Sequence, residues 1–115
     1  MEIHKEKFEN FTLIKVLAKK LETDLASALK SELITISGRG EKNLILDLSS
    51  CNYCDSNGLS AIMIGRRLCT NTAGTFILSG LNGQVEKLIE EAHLNTVIKI
   101  ARTVRDAEVL IKAAG

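Results

Sequence analysis

A chain of 115 residues is about one domain long. Its 15 Lys and Arg against 14 Asp and Glu leave a formal net charge of +1, which excludes a nucleic-acid binder or an acidic tail that works through bulk charge. No run approaches the roughly 18 apolar residues of a membrane span, and the charged opening Met1-Glu2-Ile3-His4-Lys5-Glu6-Lys7 lacks the apolar stretch of an export signal, so we expect a single domain over residues 1–115, a cytoplasmic location, no nucleic-acid partner and no membrane insertion.

Residues 2–8 and 11–18 read as two strands, rich in β-formers and joined by a hairpin turn at Glu9-Asn10. From Leu21 the period changes: Leu21, Leu25, Ala28, Leu29 and Leu33 fall on one helical face, and Gly38 is a natural C-terminal stop. Leu33-Ile34-Thr35-Ile36 reads equally as the end of that helix or as a strand. The near-continuous apolar run from Asn43 to Leu48 has the pattern of a strand buried on both faces. A polar, turn-rich segment, residues 49–58, leads into a helix from about Gly58 to Asn71. Its early part (Leu59, Ala61, Ile62, Met63, Ile64) is apolar almost all round, which predicts burial; Arg66 and Arg67 mark its wet side. Thr75 to Ser79 is another short buried strand. Val85, Leu88, Ile89 and Ala92 form an amphipathic helix, Val97 to Ile100 a last strand, and Val104 to Ala114 a last helix with Thr103 as its N-cap. The order ββαβαβαβα predicts an α/β fold with a mixed sheet of four or five strands and about four helices. In such sheets sites gather at the C-terminal ends of strands, where segment 49–58 lies.

Within that segment, Cys54-Asp55-Ser56-Asn57-Gly58-Leu59 opens a helix. Asp55 and Ser56 are favoured N-caps, and the same position suits an anion, including a phosphoryl group carried by a nearby serine. Cys51-Asn52-Tyr53-Cys54 is a C-x-x-C before a helix, a pattern that gains redox meaning only in a matching fold. The chain has no proline to face the cysteines. Cys69, His4 and His93 are too far apart in sequence for compact metal-ligand spacing. The thiols read more simply as small apolar residues, and His93 as a complement to the dipole at the end of helix 83–92. No nucleophile–histidine arrangement and no phosphate-cradling glycine loop is present, so neither a catalytic residue nor a cofactor is expected.

Leu44-Ile45-Leu46-Asp47-Leu48, then Asp55-Ser56-Asn57-Gly58-Leu59, then Phe76-Ile77-Leu78-Ser79-Gly80-Leu81 follow the pattern of the STAS domain family. The chain resembles the bacterial anti-sigma factor antagonists in particular, from about residue 5 to 113. The resemblance implies a STAS-type α/β fold and a non-enzymatic regulatory module that binds a serine-kinase-like, ATP-binding anti-sigma factor and so releases a sigma factor. In the family, the partner phosphorylates a Ser or Thr just before the motif glycine, and a phosphatase reverses this. The logic is that about two negative charges at a close-packed surface repel and cost desolvation.

The chain departs from the family at that residue. The matching position is Asn57, which has no hydroxyl and no charge. Ser56 is the fallback phosphorylation site, with a helix cap as its plainer role. Where the family often has Gly-x-hydrophobe-Asp, this chain has Lys19-Lys20-Leu21-Glu22, with Glu22 standing in for the acidic residue. The expected partner-binding set is therefore Glu22, Asp55, Ser56, Asn57, Gly58, Leu59, Ile62 and Arg66. Leu59 and Ile62 would give apolar contact if partly exposed, and Arg66 charge specificity. A STAS subunit of another assembly, such as a lipid-transport or signalling complex, fits the missing hydroxyl equally well. A C-x-x-C redox protein is a further alternative, and an exposed sheet edge permits a homodimer.

Overall fold

The apolar run Leu44–Asp47 forms the central strand, β4, buried along its whole length, and the rest of the sheet is laid out around it. This computed structural model describes residues 2–114. In chain order it has β1 (Ile3–Lys7), β2 (Thr12–Val16), β3 (Lys20–Leu21), α1 (Thr23–Gly38), β4, β5 (Tyr53–Cys54), α2 (Ser56–Asn71), β6 (Phe76–Ser79), α3 (Gly83–Glu91), β7 (Lys99–Ala101) and α4 (Val104–Ala114). Five strands form one sheet in the order β1-β2-β4-β6-β7, and β3 and β5 form a second, two-stranded one. β1 is antiparallel to β2, and every other neighbour in the large sheet is parallel. The expected mixed α/β sheet with four helices is thus present, with a small parallel ribbon added.

Alternation along the strands divides the core. Ile14, Val16, Leu44, Leu46 and Leu78 pack under the apolar faces of α1, α2 and α3, including Leu29, Leu33, Ile62, Val85 and Ile89. On the opposite face Leu13, Ile45 and Ile77 meet Ala107 and Ile111 of α4. At roughly 1.5–3 kcal/mol for each large aliphatic side chain removed from water, these layers are what hold the strand ends in place.

β1, β2 and α2 shift by one or two residues from the sequence reading, α2 starting at Ser56 and not Gly58, and three places differ more. The helix expected from Leu21 begins at Thr23, because Leu21 belongs to β3 and pairs with Cys54. Thr23 enters the helix at φ +40°, an unfavourable region for a β-branched residue. Residues 33–36 continue α1 and are not a strand. The last strand starts at Lys99 and not at Val97, since Leu94–Thr96 forms a 3-10 turn whose Leu94 carbonyl accepts from the Val97 and Ile98 N–H groups.

Candidate functional site

Parallel pairing brings the C-terminal ends of β2, β4, β6 and β7 together, with Lys15, Asp47, Ser79 and Ala101 in one row across the sheet. Asp47 is 8% exposed and Ser79 fully buried. Such groups need partners, and they supply each other's: Asp47 accepts from Ser79 Oγ at 3.1 Å and from Ser49 Oγ at 2.9 Å. Gly80 lies against this carboxylate at φ +72°, and a Cβ there would come within 2.8 Å of Asp47 Oδ1. The network ties the loop after β4 to the loop after β6.

From Ser49 the chain crosses to β5, which pairs in parallel with β3 in the register Lys20↔Tyr53 and Leu21↔Cys54. The Asp55 N–H continues the ribbon by donating to the Leu21 carbonyl at 3.3 Å. Glu22 is therefore next to Asp55 in register, although 33 positions separate them in sequence. Lys20 Nζ lies 6.0 Å from the centre of the Tyr53 ring. Asp55 is the N-cap of α2: its Oδ1 accepts from the Gly58 N–H at 2.9 Å, and its Oδ2 accepts from Asn57 Nδ2 at 3.4 Å. Gly58 is required by packing. A Cβ at that position would sit 2.4 Å from the Leu21 carbonyl oxygen and 2.6 Å from Cys54 Sγ, so the glycine lets α2 start directly against the ribbon.

Ser56 and Asn57 are exposed on the first turn of α2, and Leu59 and Glu22 are half-buried. Glu22, Asp55, Ser56, Asn57, Gly58 and Leu59 thus share one end of the molecule. Two residues of the expected set do not join them there. Ile62 has no exposed surface and lies in the core beneath α2; it supports the surface and cannot form part of it. Arg66 is nine residues along the helix from Asn57, about 14 Å at 1.5 Å per residue, and its Nε donates to the Val97 carbonyl at 3.3 Å.

Sequence reasoning missed Gln84. From the first turn of α3 its Oε1 accepts from the Cys54 N–H at 2.9 Å, and its Nε2 donates to the Cys54 carbonyl at 3.2 Å. One side-chain amide thereby pairs with both backbone groups of the residue before the cap. Nothing local to Gln84 signals this role, because its partner lies 30 positions away.

Burial pushes the Cys51 thiol up to about 11, with Asp47 adding to the shift. Burial likewise raises Cys54 to about 12, with Asp55 and Cys51 contributing, and Cys69 to about 12. All three stay protonated near neutrality, the opposite of an activated redox thiol. Among the described residues no group of three or more His, Cys, Asp or Glu side chains is assembled to hold a metal ion. His93 sits just past α3 in the left-handed region at φ +59°.

The family model for the STAS domain matches residues 3–107. A Bordetella bronchiseptica protein named as a candidate anti-sigma factor antagonist, BtrV, is 25% identical over 89 residues, covering 77% of each chain. Among solved structures, an anti-sigma factor antagonist from Mycobacterium paratuberculosis superposes with a TM-score of 0.85 at 17% identity, over 96% of this chain and 92% of that one. The Bacillus cell fate determinant SpoIIAA in its phosphorylated form superposes with a TM-score of 0.76 at 18% identity, over 95% and 98%.

Proposed function

The chain belongs to the STAS domain family, and from that premise we propose that it is a non-enzymatic, cytoplasmic antagonist of an anti-sigma factor. It binds a serine-kinase-like, ATP-binding partner and so frees a sigma factor. The observation that carries this reading is the clustering of Glu22, Asp55, Ser56, Asn57 and Leu59 at one end of the molecule, around the capped start of α2. Main-chain pairing and Gly58 hold that end rigidly, so little ordering entropy opposes docking.

In this reading Asn57 occupies the position that carries the phosphorylated hydroxyl in the family. A phosphoryl group brings roughly two negative charges, here beside Asp55 and near Glu22, where they would repel one another and any acidic partner surface. Asn57 itself stays neutral, so the chain is either locked in its binding-competent state or regulated through another residue. Ser56 is the neighbouring hydroxyl through which phosphorylation, and reversal by a phosphatase, would act.

The experiment is capture of partners from the native host's lysate, followed by affinity measurement with the purified anti-sigma factor. Asn57→Asp should weaken binding at least tenfold, about 1.4 kcal/mol, by placing a charge in the docking surface. Asn57→Ser should restore phosphate transfer, read as a mass shift, and any transfer to the unmodified chain should vanish in Ser56→Ala. Unchanged affinity in Asn57→Asp would remove the loop from the interface. Recovery of transport subunits in place of an anti-sigma factor would transfer the domain to another assembly.

A further inference from the structure

Where α2 turns into β6, beside the 3-10 turn Leu94–Thr96, lies a niche of about 160 Å³. Arg66 and Thr70 line it from α2, Gly74, Thr75 and Phe76 from the turn into β6, and Val97 and Lys99 from the approach to β7. It lies at the N-terminal end of β6, whereas Ser79 and its partner Asp47 mark the other end of the strands. The wall at β6 is fixed from outside: the Thr75 N–H donates to Asn43 Oδ1 at 3.0 Å, and Gly74 lies so close to the Lys42 carbonyl that any Cβ would collide with it.

The polar lining is one-sided: two cations and two hydroxyls, with no carboxylate. The ion pairs among the described residues join Lys5 to Glu32, Lys7 to Glu41 and Lys112 to Glu108, so neither Arg66 nor Lys99 is neutralised by an acidic neighbour. Arg66 is half-buried, and its Nε donates to the Val97 carbonyl at 3.3 Å. That bond uses one of the five guanidinium N–H groups and leaves four for a ligand. The C-terminal pole of α2 would oppose an anion, but its last carbonyls are already covered. Leu68 and Cys69 each accept from Thr72 Oγ1 at 3.1 Å, Cys69 also accepts from the Thr72 and Gly74 N–H groups, and Thr70 accepts from the Ala73 N–H.

A concave site lined by one sign of charge concentrates the opposite charge, and a held guanidinium fork matches phosphate oxygens two at a time. The volume is below the roughly 300–1,000 Å³ of pockets for drug-sized ligands, which excludes a whole nucleotide and suits a phosphoryl group with a short carbon stub against Phe76 and Val97. We propose that this niche binds the phosphoryl group of free phosphate or of a small phosphomonoester. Arg66 supplies the fork, Lys99 a second positive charge, and Thr70 and Thr75 hydroxyl partners. The niche shares no residue with the surface around Asn57 and stands apart from the proposed function.

The test is an NMR titration of the full chain with inorganic phosphate and, separately, with glycerol phosphate, both in sodium chloride at fixed ionic strength. Saturable shifts should appear at the Thr70, Gly74, Thr75 and Lys99 amides and at the Arg66 Nε–H. Tighter binding of glycerol phosphate would identify the monoester as the ligand; equal or weaker binding would identify free phosphate. Arg66→Lys keeps the charge but loses the fork, and should weaken binding about tenfold. Lys99→Gln and Thr70→Ala, at exposed positions that tolerate substitution, should each weaken it about threefold, and they test the niche even if Arg66→Lys folds poorly. Arg67→Gln removes the adjacent exposed cation, which does not line the niche, and should leave binding unchanged. Shifts that grow without saturation, shifts spread over the surface lysines and arginines, or equal losses in Arg67→Gln and Lys99→Gln would overturn the inference.

Discussion

The loops after β4 and β6 begin alike and end differently. Each follows a buried apolar strand ending in a polar residue, Asp47 or Ser79, and each leads to an Asx residue before a helix, Asp55 or Asn82. The first loop is long, gains its own strand, and presents the exposed start of α2. The second is only Gly80-Leu81-Asn82, and its polar groups turn toward the first. Ser79 donates to Asp47, Asn82 Nδ2 donates to the Ser49 carbonyl at 3.3 Å, and Gln84 clamps Cys54. Two βα units of similar pattern therefore take different roles, one as the candidate docking surface and one as its brace.

The largest expected effect separates the two helix starts. Gly58→Ala places a methyl group against the Leu21 carbonyl and Cys54 Sγ, and neither backbone nor buried sulfur yields readily. Overpacking of this kind costs about 1–3 kcal/mol, and the backbone contact puts it at about 3. Gly83→Ala meets nothing closer than the Asn52 carbonyl at 4.0 Å but must hold φ +52°, a cost of about 1–2 kcal/mol for an L-residue. Urea unfolding of both variants gives the comparison. Equal losses would mean that α2 is no more tightly seated than α3.

Next in size is the brace itself. Gln84→Ala removes two hydrogen bonds from Cys54 and leaves a main-chain N–H and C=O to find water. At about 0.5–1.5 kcal/mol for each bond we expect a loss of about 2 kcal/mol, with amide shifts concentrated at Cys54, Asp55 and Asn57. Shifts confined to α3 would show that the second unit does not support the first.

Legibility in the sequence follows the range of the interactions. The buried strands and α2, α3 and α4 are encoded by local periodicity, and they emerged with boundaries displaced by only a few residues. The Asp55 cap was readable for the same reason, since donor and acceptor are three residues apart. The β3–β5 ribbon was not, because two residues per strand carry no period. Leu21 fits a helical face as well as it fits its place beside Cys54. The approach of Glu22 to Asp55 and the Gln84 clamp depend on pairing across some 30 positions, which only the assembled sheet creates. Ile62 shows the opposite limit: its apolar character was evident, but only packing under α2 decides between core and surface.

The smallest effect sharpens the comparison at the caps. Asp55 and Asn82 both precede their helices in extended backbone, at φ −98°, ψ −172° and φ −151°, ψ 162°, yet only Asp55 accepts a helix N–H with its side chain. Asp55→Ala should therefore cost about 1 kcal/mol, the usual value of an N-cap, and should also release Asn57 Nδ2 from its carboxylate partner. Asn82→Ala loses two long bonds, each 3.3 Å, from Nδ2 to the Ser49 and Gly80 carbonyls. Both acceptors lie near solvent, so water replaces Nδ2 and the loss should stay within about 0.5 kcal/mol, as for exposed positions generally. Asp55→Ala should therefore lose more stability than Asn82→Ala, measured by thermal or urea unfolding. Hydrogen exchange should quicken at Gly58 in the first variant and stay unchanged at Gln84 and Val85 in the second. If Asn82→Ala proved the costlier, the loop after β6 would be holding the sheet end together by itself, and the division of labour between the two units would have to be reversed.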